Sequence, residues 1–287
     1  MILVIGTGLL GEKVAEFFHS KGIDVVSTYN ANKIKTDWRL VHLDITKKSE
    51  VKEVLDDGYD VVVLTSAYTD VDGCERNRDL AYKINAEGVR NIVDNLKNEN
   101  LVYVSTDYVF DGEKGNYKEE DATNPINYYG KTKLIGEKIV KDYKDHLIAR
   151  TSVIYGDNKL SFVLWVINAL KSSKDIYLLE DSYASPTFNI NFAEALYELI
   201  KNNEQGIYHV TGSERINRYD FGLKIAEVFN LNKDSIHPTT MDKLNLLAKR
   251  PRNSSLNVEK IENYIKMNNV YEGLNRMKMV FKKDIIL

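Results

Sequence analysis

The chain has little of several residue types that would point to particular protein classes. Its 287 residues include one cysteine, Cys74, and four prolines. A single cysteine excludes an internal disulfide and a cysteine-cluster metal site, and we interpret Cys74 as a helix-edge residue rather than a nucleophile. The five histidines are scattered without the spacing of metal ligands, and we interpret His209 as a packed core histidine. We therefore predict no metal site.

Strong charge and long apolar runs are also missing. The formal net charge of −3 gives no general electrostatic reason to bind nucleic acid or an anionic membrane. No apolar run approaches the roughly 18 residues of a membrane span. The apolar start "MILVIGTGLL" lacks the basic region and cleavage site of a signal peptide. We expect a soluble, cytoplasmic protein with no nucleic-acid or membrane partner.

What the first half of the chain does contain is a regular alternation of strand-like and helix-like segments. The strand-like runs are "MILVIG", "DVVSTY", "LVHLDI", "DVVVLTSA", "LVYVST" and "HLIARTSVI". Helical patterns separate several of them, including the long amphipathic stretch "RDLAYKINAEGVRNIVDNLKNEN". A continuous apolar run such as "DVVVLTSA" is typical of a strand buried on both faces of a parallel sheet. The alternation predicts an α/β fold with a doubly wound parallel sheet.

The turn after the first strand carries a phosphate-binding pattern. "GTGLLG" places Gly6, Gly8 and Gly11 in G-x-G-x-x-G spacing, with Leu9 and Leu10 between the last two, at the start of the first helix. Glycines there permit a tight turn, close approach of a pyrophosphate and close helix–strand packing. The free N–H groups of the helix N-terminus favour phosphate. We predict a dinucleotide cofactor at this turn; the alternative is a glycine-rich turn without a ligand.

The end of the second strand bears on which dinucleotide is bound. An acidic side chain there usually accepts a hydrogen bond from the adenine-ribose 2′-OH, but "TYNANKIK" has no acidic residue before Asp37. Asn30 stands about where the acid would be, and Lys33 and Lys35 follow. The pattern favours a 2′-phosphate and hence NADP(H), with NAD(H) as the alternative.

After Tyr155 the alternation loosens into helical stretches and short strand candidates such as "DIYLLE" and "GIYHVTG". No Pro- or Ser-rich linker precedes them, so we expect a smaller lobe packed against the carboxyl edge of the sheet. We assign residues 1–155 to the dinucleotide-binding domain, with later segments able to return to it. Residues 156–287 are assigned mainly to a smaller substrate-binding lobe, and the tail is predicted to be a final helix with a short end.

A tyrosine and a lysine in "NPINYYGKTKLIGEK" are candidates for carbonyl chemistry. Tyr129 and Lys133 are four residues apart and share a helical face. Tyrosine can act as an acid, but its ordinary pKa is about 10, and a nearby ammonium group would lower it. Thr106, in "VSTDYVFDG" at the carboxyl end of the fifth strand, can hold the carbonyl oxygen. The alternative is an ordinary surface pair.

Eight stretches, in order along nearly the whole chain, carry a family resemblance. They are "SAYTDVDGCE", "LAYKINAEGVRNI", "STDYVFDG", "NPINYYGKTKLIGE", "ARTSVIYG", "ASPTF", "GIYHVTGS" and "RPRNSSL". With them the chain resembles the extended short-chain dehydrogenase/reductases, and among these the dTDP-4-dehydrorhamnose reductase family. The resemblance implies a Rossmann-type domain with a smaller C-terminal lobe, and NAD(P)H-dependent reduction of the 4-keto group of a nucleotide-activated deoxy sugar.

The resemblance also implies roles for individual residues. Tyr129 would be the catalytic acid, Lys133 its partner and a ribose ligand, and Thr106 the third catalytic member. Asp44 and Ile45 would meet the adenine. The remaining assignments are Ser66, Ala67 and Tyr68 along the cofactor, and Thr69, Val71 and Tyr108, with Thr106 and Tyr129, in the sugar pocket.

The chain departs from the family pattern in places, and two functional alternatives stay open. The glycine loop is one residue shorter than the common G-x-x-G-x-x-G. Val153 stands where the family often has tryptophan, and "DSYASPT" replaces D-Q-x-G-x-P-T. One alternative is another sugar-nucleotide reductase or epimerase. The other is a non-catalytic regulatory subunit, because the regulatory subunit of methionine adenosyltransferase is similar. The nucleotide sugar would be the small-molecule partner, and a homodimer is left open.

Overall fold

The computed structural model describes residues 1–281, which form a central sheet, helices on both of its faces and a smaller lobe. In chain order the strands are β1 (Ile2–Ile5), β2 (Val25–Tyr29), β3 (Arg39–His42), β4 (Val61–Leu64), β5 (Asn100–Thr106), β6 (His146–Thr151), β7 (Ile154–Tyr155), β8 (Ile176–Leu179), β9 (Tyr183–Ala184), β10 (Thr187–Phe188), β11 (Gly206–His209), β12 (Ile216–Asn217) and β13 (Ile236–Thr239).

The helices lie between these strands. In chain order they are α1 (Gly11–Ser20), α2 (Lys48–Leu55), α3 (Val71–Arg76), α4 (Arg78–Tyr82), α5 (Gly88–Val93), α6 (Tyr128–Lys141), α7 (Phe162–Lys171), α8 (Asn189–Lys201), α9 (Arg218–Val228) and α10 (Val270–Val280). A π-helical turn, Lys83–Glu87, joins α4 to α5. The predicted long helix is therefore interrupted, and it ends at Val93 rather than near residue 100.

Within residues 1–281, the central sheet has seven strands in the order β11-β6-β5-β4-β1-β2-β3, and every neighbouring pair is parallel. The chain builds outward from β1 to β3, then returns to add β4 on the other side of β1. This reversal is the topological switch point where open α/β sheets bind ligands, at the carboxyl ends of the strands. The doubly wound parallel sheet predicted from the alternation is confirmed.

Both faces of the sheet are apolar because successive side chains of a strand point to opposite faces. On β1, Val4 belongs to a core shared with α1 and α8. Leu3 and Ile5 belong to the opposite core, which α2, α5 and α6 cover. Helices thus hold the sheet from both sides and leave its carboxyl edge open for a site.

Two segments beyond Tyr155 return to this sheet. β11 pairs with β6 from Gly206 to His209 and forms one edge. The apolar face of α8, including Phe192 and Leu196, joins α1 in the core on one face. Other parts of the second half surround a separate core built largely from α7, α9 and α10. The tail helix is α10, and the predicted short end, residues 282–287, lies outside the described residues.

Two single-residue interpretations can be compared with the fold. His209 is fully buried, its ring lies edge-on to Phe110, and burial lowers its pKa to about 3, so the core-histidine interpretation is confirmed. Cys74 is fully buried in α3 rather than at a helix edge, so that detail was wrong. Burial raises the pKa of its thiol to about 11, which keeps the thiol neutral.

Within residues 1–281, no helix combines the length and the apolar character needed to cross a bilayer. Over the same part of the chain, no three His, Cys, Asp or Glu side chains gather into a group that could hold a metal ion.

Candidate active site

A cavity of about 980 Å³ lies at the carboxyl ends of the central strands. Loops after β1, β2, β4 and β5 line it, together with residues of the second half of the chain. The predicted site residues that line it are Gly6, Gly8, Leu9, Leu10, Gly11, Asn30, Asp44, Ile45, Ser66, Ala67, Thr69, Val71, Thr106, Tyr108, Tyr129 and Lys133. The fold thus brings together residues that are up to 127 positions apart in the sequence.

Tyr68 is the predicted site residue that does not belong to this lining. Its backbone N–H donates to Asn85 Oδ1 at 2.8 Å, and its carbonyl oxygen accepts from Asn85 Nδ2 at 3.0 Å. Asn85 lies on the π-helical turn and also donates to Thr132 Oγ1 on α6, at 3.1 Å. Asn85 therefore fixes the loop after β4 relative to α6.

The glycine-rich loop has the geometry that its chemistry requires. Gly6 has a φ of 99°, in the left-handed region, and a Cβ there would lie 2.3 Å from Ser66 Oγ. At Gly11, the first residue of α1, a Cβ would lie 1.9 Å from the Gly6 carbonyl oxygen. Around Gly8, in contrast, no heavy atom of residues 1–281 apart from its chain neighbours lies within 4 Å of such a Cβ. A ligand can therefore approach the backbone at Gly8 closely, as a pyrophosphate bound along this loop would require.

Asp44 and Ile45 stand just past the end of β3, at the end of the cavity expected to hold adenine. Asp44 Oδ1 accepts hydrogen bonds from Thr46 N at 2.9 Å and Thr46 Oγ1 at 2.8 Å. Partial burial works against ionisation of Asp44, but these hydrogen bonds, together with the charges of Lys47 and Lys83, outweigh it and lower the pKa below its usual value. Asp44 is therefore a carboxylate near neutral pH, able to accept a hydrogen bond from an amino group.

The basic residues after β2 are less closely associated with the cavity than Asn30 is. Asn30 lines the cavity, whereas Lys33 and Lys35 do not. The Lys33 amine lies 5.8 Å from the centre of the Tyr29 ring. Contact between either lysine and a 2′-phosphate stays a prediction.

Tyr129 and Lys133 occupy one face of α6 and both line the cavity. The helix begins at Tyr128 because Asn127 caps it, accepting from Gly130 N at 2.8 Å. Lys133 is only 3% exposed, so the surface-pair alternative is wrong. Its amine donates to the Val104 carbonyl oxygen at 2.8 Å and lies 4.0 Å from the centre of the Tyr103 ring.

The pKa values at this face differ from the expectation. Burial raises the pKa of Tyr129 well above its ordinary value, although a hydrogen bond with Thr106 acts in the opposite direction. Burial also lowers the pKa of Lys133 to about 7, against the effect of the Glu137 carboxylate. The expected lowering of the tyrosine pKa by Lys133 is wrong for this arrangement, because burial of Tyr129 outweighs the group that lowers its pKa and the Lys133 amine bonds to the Val104 carbonyl oxygen instead.

A buried ion pair supports α6 from beneath. Glu137, one turn after Lys133, and Arg150 of β6 are 0% and 2% exposed at their side chains. Glu137 Oε2 accepts from Arg150 Nη2 at 2.8 Å, and Glu137 Oε1 accepts from Arg150 Nε at 2.9 Å and from Ser105 Oγ at 2.6 Å. The pair ties α6 to β5 and β6, and thereby holds the face with Tyr129 and Lys133 against the sheet.

The Asp107 carboxylate orients the Thr106 hydroxyl. Asp107 is 3% exposed and accepts hydrogen bonds from Thr106 Oγ1 at 3.1 Å, from Ser152 Oγ at 2.7 Å and from Ser254 Oγ. Burial raises the pKa of Asp107, while the three hydroxyl groups oppose that rise. The Thr106 hydroxyl is therefore held beside both the Asp107 carboxylate and the Tyr129 hydroxyl group.

Sequence reasoning missed several residues that line the cavity. Those with polar or charged side chains include Thr7, Thr65, Lys83, Asp107, Ser152, Lys159 and Arg218. Ser152 stands in the quoted stretch "ARTSVIYG" and Asp107 in "STDYVFDG", so a signal existed for these two. Lys159 and Arg218 lie in no motif, and only the folding of the second half onto the sheet places them here. Val153, the residue in place of a common tryptophan, also lines the cavity and has a φ of 43°.

Comparisons with known proteins agree with the fold. The sequence model of a family described as the RmlD substrate binding domain matches residues 1–281. The chain is 37% identical over 265 residues to a Haloferax volcanii protein named "Probable low-salt glycan biosynthesis reductase Agl14", covering 89% of this chain and 88% of that protein.

One solved structure and one further relative are also informative. A Bacillus anthracis dTDP-4-dehydrorhamnose reductase, crystallised in complex with NADP, superposes with a TM-score of 0.89 at 30% identity, covering 97% of this chain and 98% of that one. Subunit beta of methionine adenosyltransferase 2 from Bos taurus is 28% identical over 274 residues, covering 91% of this chain and 81% of that protein.

Proposed function

The chain belongs to the RmlD substrate binding domain family, and from this premise we propose that it is an NADP(H)-dependent reductase of dTDP-4-dehydrorhamnose, with dTDP-rhamnose as the product. The observation that carries the proposal is that Thr106, Tyr129 and Lys133 line the same cavity as the glycine-rich loop. The similar Bacillus anthracis reductase, crystallised with NADP, supports the cofactor and the substrate.

The side chains divide the chemistry between them. NADPH, when bound along the glycine-rich loop, supplies a hydride to the C4 carbonyl carbon. Tyr129 donates its proton to the carbonyl oxygen as negative charge develops there. Its raised pKa keeps that proton in place at neutral pH until the oxygen becomes basic enough to take it. Thr106, whose hydroxyl donates to Asp107 in this structure, would turn that proton to the same oxygen and stabilise the developing charge there.

Lys133 has two tasks in this proposal. Its amine lies at the carboxyl end of β5, beside Val104, and can exchange that carbonyl oxygen for hydroxyl groups of the nicotinamide ribose. When protonated, it also favours the tyrosinate that remains after proton transfer. The sugar pocket would be formed by Thr69, Val71 and Tyr108, and Asn30 favours NADPH over NADH.

The test is a turnover assay with purified protein, dTDP-4-dehydrorhamnose and NADPH or NADH, followed by the loss of absorbance of the reduced cofactor. Tyr129→Phe keeps the ring and removes the proton, so turnover should fall by roughly 10²–10⁴-fold, the usual range for general acid catalysis. Cofactor binding should stay nearly unchanged. Tyr128→Phe, on the neighbouring residue, is the matched control and should retain turnover. A wild-type protein without turnover on either cofactor would contradict the proposal.

A regulatory subunit is the second candidate, favoured by the similarity to bovine methionine adenosyltransferase 2 subunit beta. Mixing the purified chain with a methionine adenosyltransferase catalytic subunit, and measuring co-elution beside turnover, separates the two. Co-elution without reductase turnover would favour the regulatory role. Turnover that is faster on another sugar nucleotide would favour a different reductase or an epimerase. A cytoplasmic location and a homodimer stay predictions from the sequence.

A further inference from the structure

The segment after β7 packs directly onto the glycine-rich loop. Lys159 Nζ donates a hydrogen bond to the Thr7 carbonyl oxygen and lies 3.3 Å from Glu12 Oε2, in the first turn of α1. Next to it, Asn189 Nδ2 donates to the Leu9 carbonyl oxygen at 3.1 Å and to Asn158 Oδ1 at 3.0 Å. Two carbonyl groups of the loop are thus bound by side chains that come from far along the chain.

The distribution of positive charge in the cavity singles out one of these side chains. Among residues 1–281, the lysine and arginine residues that line the cavity are Lys83, Lys133, Lys159 and Arg218. Of these four, Lys83 is the residue whose charge lowers the pKa of Asp44, at the end of the cavity expected to hold adenine. The Lys133 amine donates to the Val104 carbonyl oxygen of β5, and Arg218 packs over the Phe162 ring near Asp107 and Tyr108. Lys159 is the cation at the glycine-rich loop.

A second lysine near this loop does not compete for the role. Lys13, on α1, is not part of the cavity lining. Its amine is paired with Glu16 at 2.8 Å and lies 3.6 Å from Asp157 Oδ1. The Lys159 side chain is about one-third exposed, so its amine can move by rotation about its own flexible bonds.

We propose that Lys159 binds the cofactor pyrophosphate, by exchanging the Thr7 carbonyl oxygen for a phosphate oxygen. The glycine-rich loop and the N-terminus of α1 offer N–H groups, but these carry only partial charge. The full charge of Lys159 would complement the anion. It would also neutralise Glu12, whose carboxylate would otherwise repel a phosphate at the start of α1.

The inference rests on the proposed function only in requiring a dinucleotide, and equilibrium binding tests it without turnover. Wild type, Lys159→Met, Lys159→Arg and Lys171→Met are titrated with NADPH, ADP-ribose and adenosine 2′-monophosphate. ADP-ribose keeps the pyrophosphate without nicotinamide, and adenosine 2′-monophosphate has no pyrophosphate. Lys171, exposed at the end of α7, is the matched surface control.

We expect Lys159→Met to bind NADPH and ADP-ribose more weakly than the wild type, in both cases by about tenfold or more. Its affinity for adenosine 2′-monophosphate should change less than twofold. Lys159→Arg should keep most of the affinity and Lys171→Met all of it. Added NaCl should weaken NADPH binding to the wild type more steeply than to Lys159→Met, because a cation–phosphate contact is screened by salt.

Two results would overturn the inference. One is NADPH affinity of Lys159→Met within twofold of the wild type. The other is an equal loss for all three ligands, which would indicate damage to the loop rather than loss of a phosphate contact. Failure of the proposed function would give a distinct result. The wild type would bind NADPH, and Lys159→Met would bind it more weakly, but the wild type would not reduce dTDP-4-dehydrorhamnose.

Discussion

Replacing Lys133 by methionine should abolish most activity and yet stabilise the protein at neutral pH. The amine is 3% exposed, and burial lowers its pKa from 10.5 to about 7. At 1.36 kcal/mol per pKa unit, burial of this amine lowers the free energy of unfolding by at most about 5 kcal/mol near pH 7. Methionine has a similar length and carries no charge, so it removes that cost.

The gain is reduced by a lost hydrogen bond. The Val104 carbonyl oxygen accepts from the Lys133 amine at 2.8 Å, and leaving a buried carbonyl group without this partner costs about 1–3 kcal/mol. The net effect at pH 7 should therefore be a stabilisation of at most about 2–4 kcal/mol. Because Lys133 is proposed to bind the nicotinamide ribose, the same variant should bind NADPH more weakly and lose turnover.

The sign of the pH dependence follows from the direction of the shift. Below about pH 7 the lysine is protonated in both states, and the burial penalty is fully present. Between about pH 7 and 10.5 the unfolded state binds more protons than the folded state, so the wild-type stability contributed by this group rises with pH. By pH 10 the advantage of Lys133→Met should therefore have shrunk or reversed.

The assay is chemical denaturation without added cofactor at pH 7, 8.5 and 10, beside turnover and NADPH titration. Lys131→Met is the control, since Lys131 is exposed on the same helix, and it should match the wild type in all three measurements. The reasoning is refuted if Lys133→Met is less stable than the wild type at pH 7, or if their stabilities run parallel across pH. Unchanged turnover would instead remove Lys133 from the proposed chemistry.

Two further predictions concern the support of the site and the cofactor. Arg150→Met leaves the Glu137 carboxylate buried without its partner, so the free energy of unfolding should fall by about 3–5 kcal/mol. Chemical denaturation measures this, with Lys131→Met again as the control, and a loss below about 1 kcal/mol would contradict the prediction. Wild type should bind NADPH modestly more tightly than NADH, and Asn30→Asp should reverse this preference, because a carboxylate accepts from a ribose 2′-OH and repels a 2′-phosphate. Titration of both cofactors checks it, and a wild type that binds NADH tenfold tighter (about 1.4 kcal/mol,) would show that the basic residues after β2 do not reach the phosphate.

Local sequence was sufficient to predict the parts of the protein that depend on neighbours a few residues away. Three such features follow from the periodicity of the backbone or from steric requirements. They are the apolar run of β4, the spacing of Gly6, Gly8 and Gly11, and the four-residue spacing of Tyr129 and Lys133. Parallel strands also place their carboxyl ends at one edge, so the loops after β1 and β5 could be assigned to one site. The family resemblance added Asp44 and Thr69 to the residues predicted for that site.

Contacts between distant segments decided the rest. No local period marks β11 as the edge strand beside β6, or α8 as a cover for α1, since either segment could equally serve the smaller lobe. The placement of Lys159 against Thr7 joins residues 152 positions apart.

The environment of Lys133 likewise belongs to the folded state. Its spacing from Tyr129 is local, but its pKa depends on burial beneath β5 and on Glu137, which Arg150 holds from β6. A side chain's charge state follows from the water that surrounding elements exclude, and that exclusion exists only once those elements have packed together.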